Sequence, residues 1–168
     1  MKHMNDRMTV EELKEKIWEF LKEHKEGSLA TCLNNVPRSS PVQYVVGDNL
    51  RLYIVSAGGE KFKAIHQNPN VCLLVNTNYI NYRQIKGVQI FGKATTSIDN
   101  QELFDEAKRY HPDPYQLEHE QRELKIIKIE PEEIVYLDSL GDGDRTKQIL
   151  NLRENRLILK EDERLIYR

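Results

Sequence analysis

Within eight positions, Ser56 to Lys63, the stretch IVSAGGEKFKAIHQNP (residues 54–69) sets a hydroxyl, a glycine pair and two lysines. Ser56 ends an apolar run that includes Val55, and Lys61 and Lys63 stand in the first turn of a short helix that Pro69 closes. The positive end of a helix dipole disfavours a cation by ~0.3–1 kcal/mol. A charge-assisted hydrogen bond to a phosphate returns ~1.5–3 kcal/mol, so an anionic ligand would more than offset that penalty. Hydroxyl, glycine-exposed backbone N–H groups and lysines together read as an anion cradle of the phosphate-binding type. The plainer reading of the same spacing is a Gly-Gly turn with Glu60 answering the dipole and the lysines solvated.

Other chemistries leave weaker traces. The sequence contains no GxxxxGK[ST], no GxGxxG after its first strand, no HExxH and no GxSxG, which removes the common nucleotide hydrolases, dinucleotide-binding folds, zincins and α/β-hydrolases. His111, Asp113, Glu118 and His119 cluster without a ligand spacing and read as a solvated loop, so no metal site is expected. Glu132-Glu133 and Asp142-Asp144 read as turns, and no residue stands out as a general acid or base. Cys32 and Cys72 lie in apolar stretches without a CxxC and read as buried free thiols.

The elements that would position the cradle follow from periodicity. Thr9 and Glu12 form a capping box, and Val10, Leu13, Ile17, Phe20 and Leu21 share one face of a helix over 9–26 that Gly27 ends. Residues 28–33, 40–46, 50–56, 71–77 and 88–98 are rich in β-branched and aromatic side chains and read as strands. Asn34-Asn35 and Gly47-Asp48-Asn49 are hairpin turn signals, so a meander is expected. A second helix is expected over 101–111, stopped by Pro112 and Pro114. Residues 124–130 and 133–139 then supply one or two strands around Pro131, which belongs at an edge or a break. Hairpin-connected strands with helices at the ends predict a mainly β (α+β) fold, an antiparallel six- or seven-stranded split β-barrel with flanking helices.

At 168 residues, 39% hydrophobic and 31% charged, the chain suits one globular core. A domain is expected over 1–140, followed by a charged C-terminal extension over 141–168 that is either a terminal helix and strand covering a neighbour, such as a dimer partner, or a segment that is mobile when alone. A net charge of −2 gives no general attraction to nucleic acid or an anionic membrane. No apolar run is long enough to span a bilayer and the N-terminal MKHMNDRM is polar, so a cytoplasmic location is expected.

The succession of helix, GSLATCLNNVPRSSPVQYVV, LRLYIVSAGGEKFKAIHQNPNVCLLV and VQIFGKAT resembles the FMN-binding split β-barrel proteins related to pyridoxamine 5'-phosphate oxidase, including general-stress-protein and flavin-reductase-like members, over residues 9 to 138. Its most specific portion is Tyr53-x-x-Ser56, a loop, Lys61, a short helix, Asn68-Pro69 and an apolar strand to Val75, supported by Gly92-Lys93-Ala94. The resemblance implies FMN, its phosphate held at Ser56 and Lys61 beside Val55, with Lys63 secondary. It also implies a flavin ring and ribityl chain along Arg38–Val42, where Arg38, Ser39 and Ser40 are polar and Pro41 and Val42 apolar. Gln89 would meet the ring's polar edge or be an ordinary outward strand residue.

Further implications are a homodimer with the flavin at its two-fold interface and a small-molecule electron donor or acceptor. Two departures bear on activity. Gly59-Glu60 stands where many relatives carry a basic pair, and the C-terminal 139–168 lacks an arginine- and tryptophan-rich substrate grip. The expectation is therefore an FMN-dependent oxidoreductase other than a true pyridoxamine 5'-phosphate oxidase. The alternative is a non-catalytic flavin- or haem-binding carrier of the same fold; haem and deazaflavin are ligands of other relatives.

Overall fold

Helix α1 spans Val10–Glu23 in the computed structural model, which describes residues 6–163. Thr9 caps it, its hydroxyl accepting from the Glu12 N–H at 3.1 Å. Leu13, Ile17, Phe20 and Leu21 are its buried stripe. The helix stops three residues short of the expected boundary, with extended His24 as its C-cap. The His24 Nδ1–H donates to the Phe20 carbonyl at 2.8 Å, and by Lys25 the chain has joined the sheet, its carbonyl accepting from Tyr44 N. Gly27 is therefore no helix terminator. It lies in β1 (Glu26–Leu33), where a Cβ would come within 2.7 Å of the Leu74 carbonyl oxygen.

The strands that follow are β2 (Val36–Val46), β3 (Leu52–Ser56), β4 (Asn70–Asn76), β5 (Lys86–Thr96), β6 (Lys125–Asp138), β7 (Lys147–Asn151) and β8 (Arg156–Lys160). All pair antiparallel in the order β3-β2-β1-β4-β5-β6-β7-β8, and β3 also pairs with β6. That extra pairing closes β3, β2, β1, β4, β5 and β6 into a ring of six, the expected split barrel. The β1–β2 hairpin turns on Asn34 and Asn35 at φ 52° and 61°, a type I′ turn, as the sequence predicts. Inside the ring Leu29, Leu52, Ile54, Leu73, Ile90 and Ile127 pack against the α1 stripe.

Strand β6 is continuous through Pro131 and changes neighbour there. Its first part pairs with β3 up to Ile129, and its second part pairs with β7 from Glu133. Pro131 falls in the interval, where its missing N–H is not needed on that side. On the other side the register with β5 shifts between Phe91 and Gly92, and a Cβ on Gly92 would run into the Glu130 carbonyl.

Four further expectations are corrected. The helix of 101–111 is shorter, α3 (Leu103–Lys108), and a separate α4 (Pro114–His119) follows. Pro114 starts that helix at its first turn, and Asp113 caps it through Gln116 N at 2.9 Å, so the loop expected there is helical. The C-terminal extension contains the β7–β8 hairpin and no helix over 147–160, and Leu150 and Leu157 lie in the main core. It packs on its own chain, where the Gln148 amide accepts from Met8 N and the Arg7 guanidinium donates to the Leu157 carbonyl. The thiols of Cys32 and Cys72 are partly exposed rather than buried, on the outward face of β1 and β4.

A smaller second core lies outside the ring, where α3 and α4 press Leu103, Phe104, Ala107 and Leu117 onto Tyr53 of β3 and Ile126 of β6. Helix α2 (Glu60–Gln67) bridges β3 and β4 with Phe62, Ala64 and Ile65 buried. No helix among the described residues is long and apolar enough to cross a membrane.

Candidate functional site

Strand β3 is short, and its shortness shapes the site. It pairs with β2 only from Leu52↔Val46 to Val55↔Gln43 and then ends at Ser56, whereas β2 began seven residues before Gln43, at Val36. Residues 36–42 thus have β1 on one side and no strand on the other among the described residues. This free edge carries Arg38, Ser39, Ser40, Pro41 and Val42. Alternation divides them: Val42 is in the core, Arg38 and Ser40 share its parity, and Ser39 and Pro41 face outward with Ala30 and Ser28.

At the end of β3 the chain turns through Gly58 and Gly59, at φ 139° and 115°, a region that side-chain-bearing residues rarely adopt. The Ser56 hydroxyl accepts from Gly58 N and lies 3.2 Å from the Gly58 carbonyl, to which Lys61 Nζ donates at 2.6 Å. Burial lowers the Lys61 pKa from its ordinary value, because no carboxylate among the described residues lies within ion-pair distance to hold the ammonium charged. Lys63 is exposed, and two residues along a helix turn it about 200° away from Lys61. The two lysines do not converge.

A cation that the sequence reading missed does. Lys125 pairs with Ser56 across β3–β6, and its ammonium lies 5.7 Å from the centroid of the Phe62 ring, with Lys61 Nζ 5.5 Å from the same centroid. A Cβ placed on Gly58 would stand 3.8 Å from Lys125 Nζ. Lys125 also has no carboxylate partner among the described residues. Nothing local marks it in LKIIKIE; only the β3–β6 register brings it to the loop, 69 positions from Ser56 in the chain.

Pro41, Val42, Val55 and Ser56 line one hollow of about 540 Å³, so four of the expected residues meet there. Gln89 does not join them. It faces outward on β5 in a row that the registers define as Pro41, Ser28, Leu74, Gln89, Val135, Ile149 and Ile158. Three strand spacings separate Gln89 from Pro41, about 14 Å. The row is largely apolar and partly open, with Leu74 38% and Ile158 41% exposed, and the neighbouring row adds Phe91 at 38%. No group of three or more His, Cys, Asp or Glu side chains among the described residues is placed to hold a metal ion.

The pyridoxamine 5'-phosphate oxidase family model matches residues 13–138. General stress protein 26 of Bacillus subtilis is 29% identical over 146 residues, 86% of this chain and 100% of that protein. The crystal structure of General Stress Protein 26 from Bacillus anthracis is 26% identical and superposes with a TM-score of 0.53 over 74% of this chain and 92% of that one. A FAD-binding protein from Mesorhizobium loti, 21% identical, has the same fold, with a TM-score of 0.53 over 69% of this chain and 87% of that chain. With the family match spanning most of the residues and the ring of antiparallel strands beneath it, this chain belongs to the pyridoxamine 5'-phosphate oxidase family.

Proposed function

We propose that the chain binds FMN between two copies of itself and serves a flavin-dependent oxidation or reduction of a small molecule. The observation that carries this reading is the pair of ammonium groups, Lys61 and Lys125, beside a glycine loop with no carboxylate among the described residues to answer them. A phosphate there would hydrogen-bond the Ser56 hydroxyl and Lys61 and draw Lys125 into range, and it would remove the cause of the depressed Lys61 pKa. From that anchor the free edge of β2 offers unpaired backbone groups for a ribityl chain and the apolar Pro41 for a ring.

When bound, the flavin supplies the electron or hydride exchange. The chain's part is to fix the phosphate, to lay the ring along β2 and to keep water from it. One copy does this incompletely, since Gln89 is far from Pro41 and the hollow is open along β2. The partly exposed apolar row that contains Gln89 is a self-complementary surface for a second copy, which would bring its own Gln89 toward the groove.

The test is the purified protein as expressed. Released cofactor identified by mass as FMN, with the two-banded visible absorption of an oxidised flavin, supports the reading; FAD, a deazaflavin or a haem Soret band replaces it. Sedimentation at micromolar concentration should give a dimer. A monomer that binds no flavin on addition of FMN overturns the proposal.

A further inference from the structure

A second and larger hollow, about 740 Å³, lies where the end of α1 meets β2 and β3. The end of α1, residues 43–46 of β2, the end of β3 and the α3–α4 segment enclose it. Its floor is the open margin of the second core, where Val45, Val55, Tyr110 and Leu124 are only partly buried. Tyr110 is held flat, stacked on Tyr53 at 5.5 Å between ring centroids. Gly47 is what admits it: a Cβ there would meet the Tyr110 ring at 2.9 Å.

Two histidines line this cleft, and their backbone partners fix opposite tautomers. The His24 Nδ1 lies 2.8 Å from the Phe20 carbonyl, which can only accept, so Nδ1 bears the proton and Nε2 of the neutral ring is an acceptor. His111 Nδ1 accepts from the Asp113 backbone N–H at 3.0 Å, so the proton of its neutral ring is on Nε2 and that atom is a donor. Neither Nε2 has a hydrogen-bond partner among the described residues. The charged side chains on the lining balance, Lys22 and Lys25 against Glu26 and Glu120. An apolar, aromatic floor, one acceptor, one donor and no net charge define a ligand of matching chemistry.

We propose that this cleft binds an uncharged planar molecule bearing an amide or lactam, whose N–H donates to His24 Nε2 and whose carbonyl accepts from His111 Nε2–H. Gln43, Val55, Ser56 and Ala57 line both this cleft and the hollow along β2, so a molecule held here abuts the flavin groove. Its role as substrate rests on the flavin reading; its binding does not.

The experiment uses the full chain, stripped of any cofactor, and reads the ring nitrogens of its histidines by long-range 1H–15N NMR at pH 8. Benzamide is the probe, compared with benzoate, which is an anion without the N–H, and with N,N-dimethylbenzamide, which keeps the carbonyl and loses the N–H. Before any addition, the ring patterns should show the Nδ1–H form for His24 and the Nε2–H form for His111. Benzamide should shift both saturably and leave His66, exposed on α2, unmoved. N,N-dimethylbenzamide should bind about tenfold more weakly, the loss of one neutral hydrogen bond, and His111→Ala should weaken benzamide about equally. His24→Ala should do the same; if it disturbs the end of α1, His111→Ala decides alone. Lys61→Ala should leave benzamide binding unchanged.

Benzoate binding as tightly as benzamide, identical tautomers in the two rings, or benzamide affinity indifferent to His111→Ala overturns the proposal. A protein that takes benzamide but never FMN would sink the flavin reading and leave this one standing; one that takes FMN but not benzamide would do the reverse.

Discussion

Lys61→Ala isolates the physical claim on which the flavin reading depends. In the flavin-free protein the Lys61 ammonium is partly desolvated and donates a hydrogen bond to the Gly58 carbonyl at 2.6 Å. Its pKa is lower folded than unfolded, so wherever both states carry the proton the charged side chain costs folding stability. That cost disappears only at pH above the ordinary lysine value. Alanine should therefore leave the melting temperature of the flavin-free protein unchanged or slightly raised. With FMN present the balance reverses. The variant loses one charge-assisted hydrogen bond to phosphate, about 1.5–3 kcal/mol, which is about 10–150-fold in dissociation constant. The assay is quenching of FMN fluorescence on titration, paired with melting curves with and without FMN. Lys63→Ala is the control, since Lys63 is exposed on another side of α2 and should change affinity less than about twofold. Equal FMN affinity in wild type and Lys61→Ala, with both proteins folded, refutes the phosphate assignment.

The remaining predictions concern parts of the fold that serve the site. Gly58→Ala forces a φ of 139° on a residue with a Cβ, at a cost of about 1–3 kcal/mol or a rearranged loop; FMN affinity should fall even though the added methyl has room. Leu74→Glu puts a charge in the middle of the outward apolar row and should shift sedimentation toward monomer and lower flavin occupancy together; a stable dimer would place the interface elsewhere. Glu106 is held below the usual carboxylate range by Lys128 at 2.7 Å and by the Tyr53 hydroxyl at 2.9 Å, against its own desolvation. Because its folded pKa is depressed, its contribution is present above the unfolded value near ~4.3 and fades as pH falls through the lower folded value. Glu106→Gln should cost about 1 kcal/mol at pH 7, allowing for the partial exposure of the pair, or ~2–4 °C in Tm, and should flatten the acid side of the stability profile. An unchanged profile would show that the pair carries no net energy.

What could be read from the residues was mostly what neighbours in sequence decide. Thr9 announces the helix start and Asn34-Asn35 the first hairpin because caps and tight turns are local chemistry. Gly27 was misleading for a physical reason. A glycine that ends a helix and one that lets a neighbouring strand approach look alike until the strand is known, and here that strand is β4, over 40 positions away. Helix α3 ends at Lys108, ahead of the two prolines expected to stop it, and because a proline also suits a first helical turn, Pro114 begins α4 with Asp113 as its cap. In the C-terminal hairpin, Leu150 follows Ile149 and Leu157 precedes Ile158, so the five positions of each strand show no polar–apolar alternation by which periodicity could separate a short strand from a helix. Ser56 and Lys61 were legible because they flank one short strand–helix turn, five positions apart. Lys125 was not, because only barrel closure sets it beside them.

The five-residue length of β3 ties these features together. A strand that matched β2 residue for residue would pair its N–H and C=O groups along 36–42 and leave no edge for a ligand. By stopping at Ser56, β3 leaves that edge open and delivers the chain to Gly58-Gly59 at the same spot, so unpaired backbone groups and uncompensated ammonium groups arise from one truncation. Exposed edge groups invite pairing with another strand, and partly buried cations invite an anion. A flexible polyol ending in phosphate meets both demands in one molecule, whereas a partner strand meets only the first. Extending β3 by two residues ahead of the glycine pair tests this argument. The insertion should lengthen the β2–β3 ladder, raise stability in the absence of ligand and abolish FMN binding; retained FMN affinity would mean that the edge and the loop act independently.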